Sequence, residues 1–181
     1  GEGYRVTVLE KGAQAGGCLQ GFRRGGFTFD TGFHYVGGIA EGGPLHPLFR
    51  YFDLLDLPWT PLDAECFDEV VIGGESFPLC SGYGPFVEKL AERFPSERAG
   101  LEVFTARIKD INDHIFNAFR GEMNPAFSEG ALPFLESCIG DPMLRKVISG
   151  TATKLQLSES LPLYVFAQIF GSFLHSSHHR L

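Results

Sequence analysis

The chain has few of the residues that support disulfide, metal or nucleic-acid chemistry. Its 181 residues include four cysteines, Cys18, Cys66, Cys80 and Cys138, which are far apart and form no C-x-x-C pair. That spacing favours reduced, buried thiols over a metal site or a disulfide framework. The formal net charge of -7 argues against nucleic acid or an acidic membrane surface as an electrostatic partner. An uncharged ligand fits this composition better.

Long hydrophobic runs, internal repeats and low-complexity segments are also lacking. The longest apolar run, residues 161–174, has 14 residues and is interrupted by proline, glutamine and glycine, so it is too short to cross a membrane. We predict a buried helix there, capped by Ser160 and ending near His175. Metal ligands are sparse as well: His175 and His179 can share a helix face, but no third ligand lies at a suitable spacing. We predict no metal site.

Phenylalanine is the residue that the chain has in excess. It contains 18 Phe beside one Trp and five Tyr. Such side chains either fill a core or line a long apolar channel, and the composition favours the core because most aromatic residues serve packing. The helix predicted at residues 161–175 is apolar nearly all round, so both interpretations apply to it. Phe166 and Phe170 are the positions at which they differ.

The amino-terminal stretch is typical of a strand that leads into a nucleotide site. Residues 4–9 (YRVTVL) are mostly aliphatic and β-branched, which predicts a buried parallel strand. Glu10 follows, and a carboxylate at the tip of such a strand accepts hydrogen bonds from a ribose diol. The glycine turn that holds the pyrophosphate lies about 20 residues earlier in such units, which is before Gly1. We therefore expect the chain to be a piece of a longer protein.

A glycine-containing loop and a hairpin come next. The loop at residues 11–17 (KGAQAGG) ends in Gly16 and Gly17, which lack Cβ atoms and so expose backbone amides that can lie against a phosphate. Residues 19–24 and 27–29 flank a Gly-Gly pair, which predicts a short hairpin.

A sharp turn at Asp30, Thr31 and Gly32 follows the hairpin, and His34 comes just after it. Both polar side chains also have an ordinary structural interpretation. Asp30 can be a turn residue that bonds its own following backbone, and His34 can be a loop histidine whose hydrogen bonds are satisfied locally.

Three strings in this region resemble a known family. They are VLEK at residues 8–11, the Gly16-Gly17 pair with Cys18 after it, and FDTGFHYVGG at residues 29–38. Together they resemble the flavin-binding region of the phytoene desaturase, carotenoid isomerase and retinol saturase family of FAD-dependent oxidoreductases. Cys18 and the third string look more like retinol saturases than like bacterial desaturases, which usually carry an arginine after the glycines. The resemblance implies an FAD site formed by Glu10, Lys11, Gly16, Gly17, Cys18, Asp30, Thr31, Gly32 and His34.

The same resemblance implies a function. The complete protein is expected to be an FAD-dependent oxidoreductase that acts on carbon-carbon bonds of an apolar isoprenoid or polyene, with the hydride chemistry supplied by the flavin. We expect the partner to be an apolar small-molecule substrate and not a nucleic acid, and we leave peripheral contact with a membrane open. The expected location is cytoplasmic or peripheral to a membrane. A flavin amine oxidase-like enzyme, against which Cys18 argues, and a non-catalytic remnant of the fold are the other candidates. The chain by itself is expected to be inactive and to retain no FAD.

These features predict a mixed α/β fold in two parts. Residues 1–45 are predicted to be an incomplete Rossmann-like FAD-binding segment, and residues 46–181 a mostly helical substrate-binding region with a β-hairpin. The predicted hairpin pairs residues 67–72 with 76–80. The predicted helices cover residues 46–55, 82–94, 97–119, 131–139, 142–148 and 161–175. The first has an apolar face formed by Leu48, Tyr51, Phe52 and Leu55. Ser96 is the predicted cap of the helix at 97–119, and Asp141 is the predicted cap of the helix at 142–148.

Overall fold

The structure, a computed structural model, combines helices with short antiparallel strand pairs. It describes residues 3–32, 34–114, 121, 125–150, 160–175 and 178–181. The helices are α1 (His46–Tyr51), α2 (Tyr83–Arg93), α3 (Arg98–Asp113), α4 (Ala131–Cys138), α5 (Pro142–Gly150) and α6 (Leu163–His175). The strands are β1 (Gly21–Arg24), β2 (Phe27–Asp30), β3 (Thr60–Pro61), β4 (Cys66–Ile72), β5 (Glu75–Cys80) and β6 (His179–Arg180). They pair antiparallel as β1–β2, β3–β6 and β4–β5.

Helices α2, α3 and α6 form the main hydrophobic core, and hairpin β4–β5 packs against it. Four phenylalanines meet at its centre: Phe86 from α2, Phe104 from α3, and Phe166 and Phe170 from α6. The rings of Phe104 and Phe170 meet edge to face with centroids 5.4 Å apart, a favourable arrangement for aromatic pairs. Phe166 and Phe170 are each 1% exposed, which confirms the packed-core interpretation for both residues.

A buried asparagine joins α3 to α6. The Asn112 side-chain amide donates to the carbonyl oxygens of Ile108 on its own helix and Ala167 on α6, each at 2.8 Å. A Cβ atom at Gly171 would lie only 2.0 Å from the Asn112 amide nitrogen. The two helices therefore approach this closely because position 171 is glycine.

The segment at residues 4–10 differs from its prediction. It forms no strand, and Tyr4, Val6, Val8 and Leu9 are each at least 78% exposed. The prediction of a buried parallel strand is therefore wrong for this structure. The physical reason is that such a strand is stabilised by neighbours on both edges, and none of the residues described here pairs with it.

Helix α1 is also shorter than its sequence pattern predicted. It ends at Tyr51, and Asp53 then adopts a left-handed conformation with φ of 54°. Tyr51 and Phe52 are mostly exposed, whereas the buried residue of this helix is Phe49, so the predicted apolar face is wrong. Phe49 forms a small cluster with Val36 and Ile39. This cluster uses residues from both sides of position 45, and the division into residues 1–45 and 46–181 stays a prediction.

The remaining elements agree with their local signals, with small shifts at their ends. Hairpin β4–β5 and helices α2, α4 and α5 are confirmed, and Asp141 caps α5 by accepting from the amides of Met143 and Leu144. Ser96 was the wrong cap for α3, because residues 95–97 form a 3-10 turn before that helix. Residues 115–119 of that predicted helix and the connection predicted at 155–158 lie outside the described residues.

Helix α6 is followed by a short carboxy-terminal strand. Helix α6 begins at Leu163, two residues later than predicted. None of the helices described here is long and apolar enough to span a membrane. Strand β6 lies between β3 and Val36, whose backbone exchanges two 2.8 Å hydrogen bonds with His179. His175 and His179 thus belong to different elements and share no helix face. Within the described ranges, no three His, Cys, Asp or Glu side chains cluster as metal ligands would.

Candidate functional site

The loop at residues 11–17 ends in a tight turn that depends on its two glycines. Gly16 and Gly17 have φ values of 118° and 53°, which L side chains rarely adopt. A 3-10 turn, Gly17–Leu19, follows and is closed by the Leu19 amide, which donates to the Gly16 carbonyl oxygen at 2.9 Å. The first amides of such a turn, those of Gly17 and Cys18, have no partner within it. They are exposed donors for an acceptor outside the loop.

Hairpin β1–β2 brings the second predicted segment to this loop. Gly25 and Gly26 have φ values of 58° and 83°, as a two-residue hairpin turn requires, and the register places Gly21 opposite Asp30. The Thr31 hydroxyl lies 3.0 Å from the Cys18 carbonyl oxygen and also contacts the Gln20 carbonyl oxygen. The turn at residues 30–32 is therefore held against the residues that follow the glycine loop.

Gly32 lies so close to Cys18 that a side chain at this position has no room. A Cβ atom at this position would lie 2.6 Å from the Cys18 carbonyl oxygen, well inside van der Waals contact. Glycine is thus required by proximity rather than by an unusual backbone angle. Of the predicted residues, the structure brings together Gly16, Gly17, Cys18, Asp30, Thr31 and Gly32.

Glu10 and Lys11 have a looser relation to this site. Glu10 accepts a 2.6 Å hydrogen bond from the Gly12 amide and so closes the beginning of the loop. Lys11 is exposed, and Glu10 projects from an unpaired segment rather than from a strand tip. The Gln20 side-chain amide, which the sequence analysis missed, donates to the Gln14 carbonyl oxygen and ties the loop to the hairpin.

An apolar pocket of about 330 Å³ adjoins the turn. Its polar lining residues are Asp30 and His34, and its apolar lining residues are Leu19, Phe49, Leu54, Leu57, Trp59 and Leu181. The indole nitrogen of Trp59 donates to the Leu54 carbonyl oxygen at 2.7 Å, which orients its ring beside Phe49 at 5.7 Å between centroids. The pocket can therefore take an apolar group beside the two polar side chains.

Most of the pocket wall was missed by sequence reasoning. The only Trp of the chain, Trp59, was a usable signal for this wall. Leu181 is 147 positions beyond His34 in sequence, and no local pattern links the two. Arg23 was also missed: it lines an open depression of about 620 Å³ with Gln14 and Asp30. The available signal was the pair Arg23-Arg24 in strand β1. Neighbouring residues of a strand face opposite sides, so one of the two arginines can face the site.

The buried His178 contacts Tyr35, the residue that follows His34. The His178 ring packs against Tyr35, Phe173 and Phe67, with centroid distances of 5.0, 4.6 and 6.2 Å. Burial, followed by the neighbouring His179, lowers the His178 pKa to about 4. The ring is therefore neutral at physiological pH. Its Nε2 atom is buried without a hydrogen-bond partner among the described residues and lies against Gly37.

Comparisons with known proteins find a family model and individual relatives that are similar to this chain. A family model for an NAD(P)-binding Rossmann-like domain matches residues 1–52. All-trans-retinol 13,14-reductase of Rattus norvegicus is 33% identical over 120 residues, which cover 64% of this chain and 20% of that protein. Prolycopene isomerase 2, chloroplastic, of an Oncidium hybrid cultivar is 30% identical over 104 residues, which cover 57% of this chain and 18% of that protein.

A further relative has a name that bears on activity. Inactive all-trans-retinol 13,14-reductase of Danio rerio is 51% identical over 117 residues, which cover 62% of this chain and 19% of that protein. The chain thus spans about a fifth of the length of the relatives it matches. The Rossmann-like match identifies a dinucleotide as the class of cofactor. These matches, together with the glycine loop and turn that the structure brings together, support the resemblance of the chain to the phytoene desaturase, carotenoid isomerase and retinol saturase family.

Proposed function

We propose that the complete protein is an FAD-dependent oxidoreductase that acts on carbon-carbon bonds of an apolar isoprenoid or polyene. The observation that carries this proposal is the position of the turn at residues 30–32. One side of the turn lies against the glycine loop, and its Asp30 lines the apolar pocket. In this proposal, a dinucleotide site and an apolar site are therefore adjacent. Relatives named for retinol and for prolycopene support a polyene as the substrate class.

The residues present fit the phosphate part of a dinucleotide. A Cβ atom at Gly17 would meet no atom within 4 Å, so its surface is open to a ligand, and the exposed amides of Gly17 and Cys18 suit a phosphate oxygen. Arg23 adds a positive charge in the depression beside Gln14. Among dinucleotides we favour FAD because of the family resemblance, and bound FAD would supply the hydride chemistry.

The side chains of the pocket have simpler tasks in this proposal. Its apolar walls bind the hydrocarbon and exclude water, which protects a reduced cofactor from side reactions. Asp30 and His34 are the polar residues that line the pocket, where they can orient the cofactor. Residues 1–45 would thus serve the cofactor, and residues 46–181 the substrate. A cytoplasmic or peripheral-membrane location belongs to the same proposal, since an apolar substrate is concentrated at membranes.

An absorbance spectrum of the purified complete gene product tests the cofactor. We expect flavin bands in stoichiometric amount, and a preparation without bound flavin would contradict the proposal. Glu10→Ala is expected to weaken flavin binding by about 1.5–3 kcal/mol, because an ionised acceptor for the ribose is lost. Glu41→Ala removes an exposed carboxylate elsewhere and is the matched control. Equal flavin affinity in the two variants would remove Glu10 from the site.

A non-catalytic flavoprotein is the second candidate function. It is favoured by the 51% identity with the relative named as inactive. Turnover separates the two candidates: the complete protein is supplied with a polyene such as all-trans-retinol and with a chemical electron donor, under anaerobic conditions. Loss or shift of a polyene double bond supports the enzyme. Bound flavin that is reduced without any change in a panel of retinoids and carotenoids supports the non-catalytic protein.

A further inference from the structure

Cys66 and Cys80 face each other across hairpin β4–β5. They are Cα partners in the register of the two strands, 14 positions apart in sequence, and their sulfur atoms are 3.6 Å apart. Both side chains are half-buried and both are free thiols. Sequence spacing alone predicted unpaired thiols here, because only the hairpin register makes the two residues neighbours.

The pairing geometry at this position is the one that admits a disulfide. The Ser81 amide donates to the Glu65 carbonyl oxygen at 2.8 Å, just outside the cysteine pair. A hydrogen bond at that place marks Cys66 and Cys80 as a non-hydrogen-bonded pair of the antiparallel ladder. In such pairs the Cα atoms are about 4.5 Å apart, which lies within the range of about 4.4–6.8 Å found for disulfides. The register shifts directly beyond this pair, between Cys66 and Asp68, and the 3.6 Å between the two sulfur atoms is the separation that side-chain rotation has to close.

We propose that Cys66 and Cys80 form an oxidation site that closes to an intrachain disulfide when the oxidant is a small-molecule disulfide of the oxidised-glutathione type. One protein thiolate attacks the oxidant, forms a mixed disulfide and releases one glutathione thiol. The second protein thiolate then attacks the protein sulfur of that bond and releases the second glutathione thiol. The two cysteines lose two protons and two electrons in total, and one oxidant disulfide is reduced to two thiols.

The chemical environment of the pair makes this step slow at neutral pH. Burial, followed by the hydrogen bond and the charge of Cys66, raises the pKa of Cys80 to about 11. Since the thiolate is the nucleophile, little Cys80 is reactive near pH 7. The rate of crosslinking is therefore expected to increase as the pH is raised toward that pKa.

The crosslink would fasten the open end of the hairpin, where the chain enters and leaves it. Phe67 follows Cys66 directly and stacks on Phe173 of α6 at 5.4 Å between centroids. On the other strand, the Gly82 amide donates to the Leu174 carbonyl oxygen of α6 at 2.8 Å. Both strand ends are thus attached to the same helix. The disulfide would keep the two strand ends close to each other in the unfolded as well as in the folded chain.

Peptide mapping of the purified chain tests the proposal. The chain is incubated with oxidised glutathione at pH 8.5, remaining thiols are blocked with iodoacetamide, and non-reduced peptides are analysed by mass spectrometry. We expect a peptide that links Cys66 to Cys80, and its disappearance after dithiothreitol. The link should be absent in Cys66→Ser and retained in Cys138→Ser, a variant of another half-buried thiol. The crosslink is also expected to raise Tm by roughly 5–10 °C.

Two results would overturn the proposal, and neither depends on a variant that folds. One is alkylation of both Cys66 and Cys80 in wild-type chain after incubation with the oxidant at pH 8.5 has been prolonged well beyond the complete reaction of the exposed Cys18. The other is a linked peptide that joins Cys66 or Cys80 to Cys18 or Cys138 in place of the proposed pair.

Discussion

Replacing Phe170 by alanine is the most direct test of the core described above. Its ring is 1% exposed and lies within 5.7 Å, centroid to centroid, of three other rings: 5.3 Å from Phe166, 5.4 Å from Phe104 and 5.7 Å from Phe86. Removing a buried phenylalanine ring costs about 3–5 kcal/mol of unfolding free energy. Because the ring joins three helices, we expect a loss of about 4 kcal/mol, toward the middle of that range, which lowers Tm by roughly 8–16 °C.

Urea denaturation followed by circular dichroism measures this loss, with Phe52→Ala as the control. Phe52 is 58% exposed, so the same deletion there should change the unfolding free energy by at most about 1 kcal/mol. A loss at Phe170 no larger than at Phe52 would refute the packed-core reasoning. If that small loss came with altered preference between long and short polyenes in the complete enzyme, the channel interpretation would replace it.

Three further predictions concern the site and its surroundings. In the complete protein, Gly32→Ala should weaken flavin binding and destabilise the fold by about 1–3 kcal/mol, because its Cβ would meet a backbone oxygen at 2.6 Å. Gly84→Ala, whose Cβ would meet no atom within 4 Å, should instead stabilise α2 by up to about 1 kcal/mol, and urea denaturation measures both changes. The His178 pKa is lowered from 6.5 to about 4, so the unfolded chain binds a proton that the folded chain excludes, and stability should fall by roughly 2–3 kcal/mol as the pH drops through that window. His178→Phe should flatten this dependence in urea titrations between pH 4 and 7, and an unchanged slope would contradict the buried neutral ring. In the complete protein, Arg23→Ala should raise the Kd for flavin several-fold, whereas Arg24→Ala should leave it unchanged. Equal flavin titration curves for the two variants would exclude a phosphate contact from Arg23.

Local sequence signals determined most of the secondary structure. Hairpin β4–β5 follows from two β-rich runs around Gly73-Gly74, and α5 follows from the Asp141-Pro142 start. These signals work because turns and caps are satisfied by residues only a few positions apart. The motif strings also identified the glycine loop and the turn at residues 30–32, and the structure holds these two segments in contact.

Only the tertiary structure decided which of these elements bury their apolar residues and which distant residues meet. Residues 4–9 have a strand pattern, but a buried strand forms only when neighbouring strands satisfy its backbone, and none of the described residues does so. The apolar face of α1 is set by Val36 and Ile39, which lie outside the helix. Cys66 lies beside Cys80 because of the register of the two strands. Leu181 lies near His34 because the chain folds back to the same pocket. Sequence spacing carries no information about such long-range contacts, since they are selected by the packing of the whole chain.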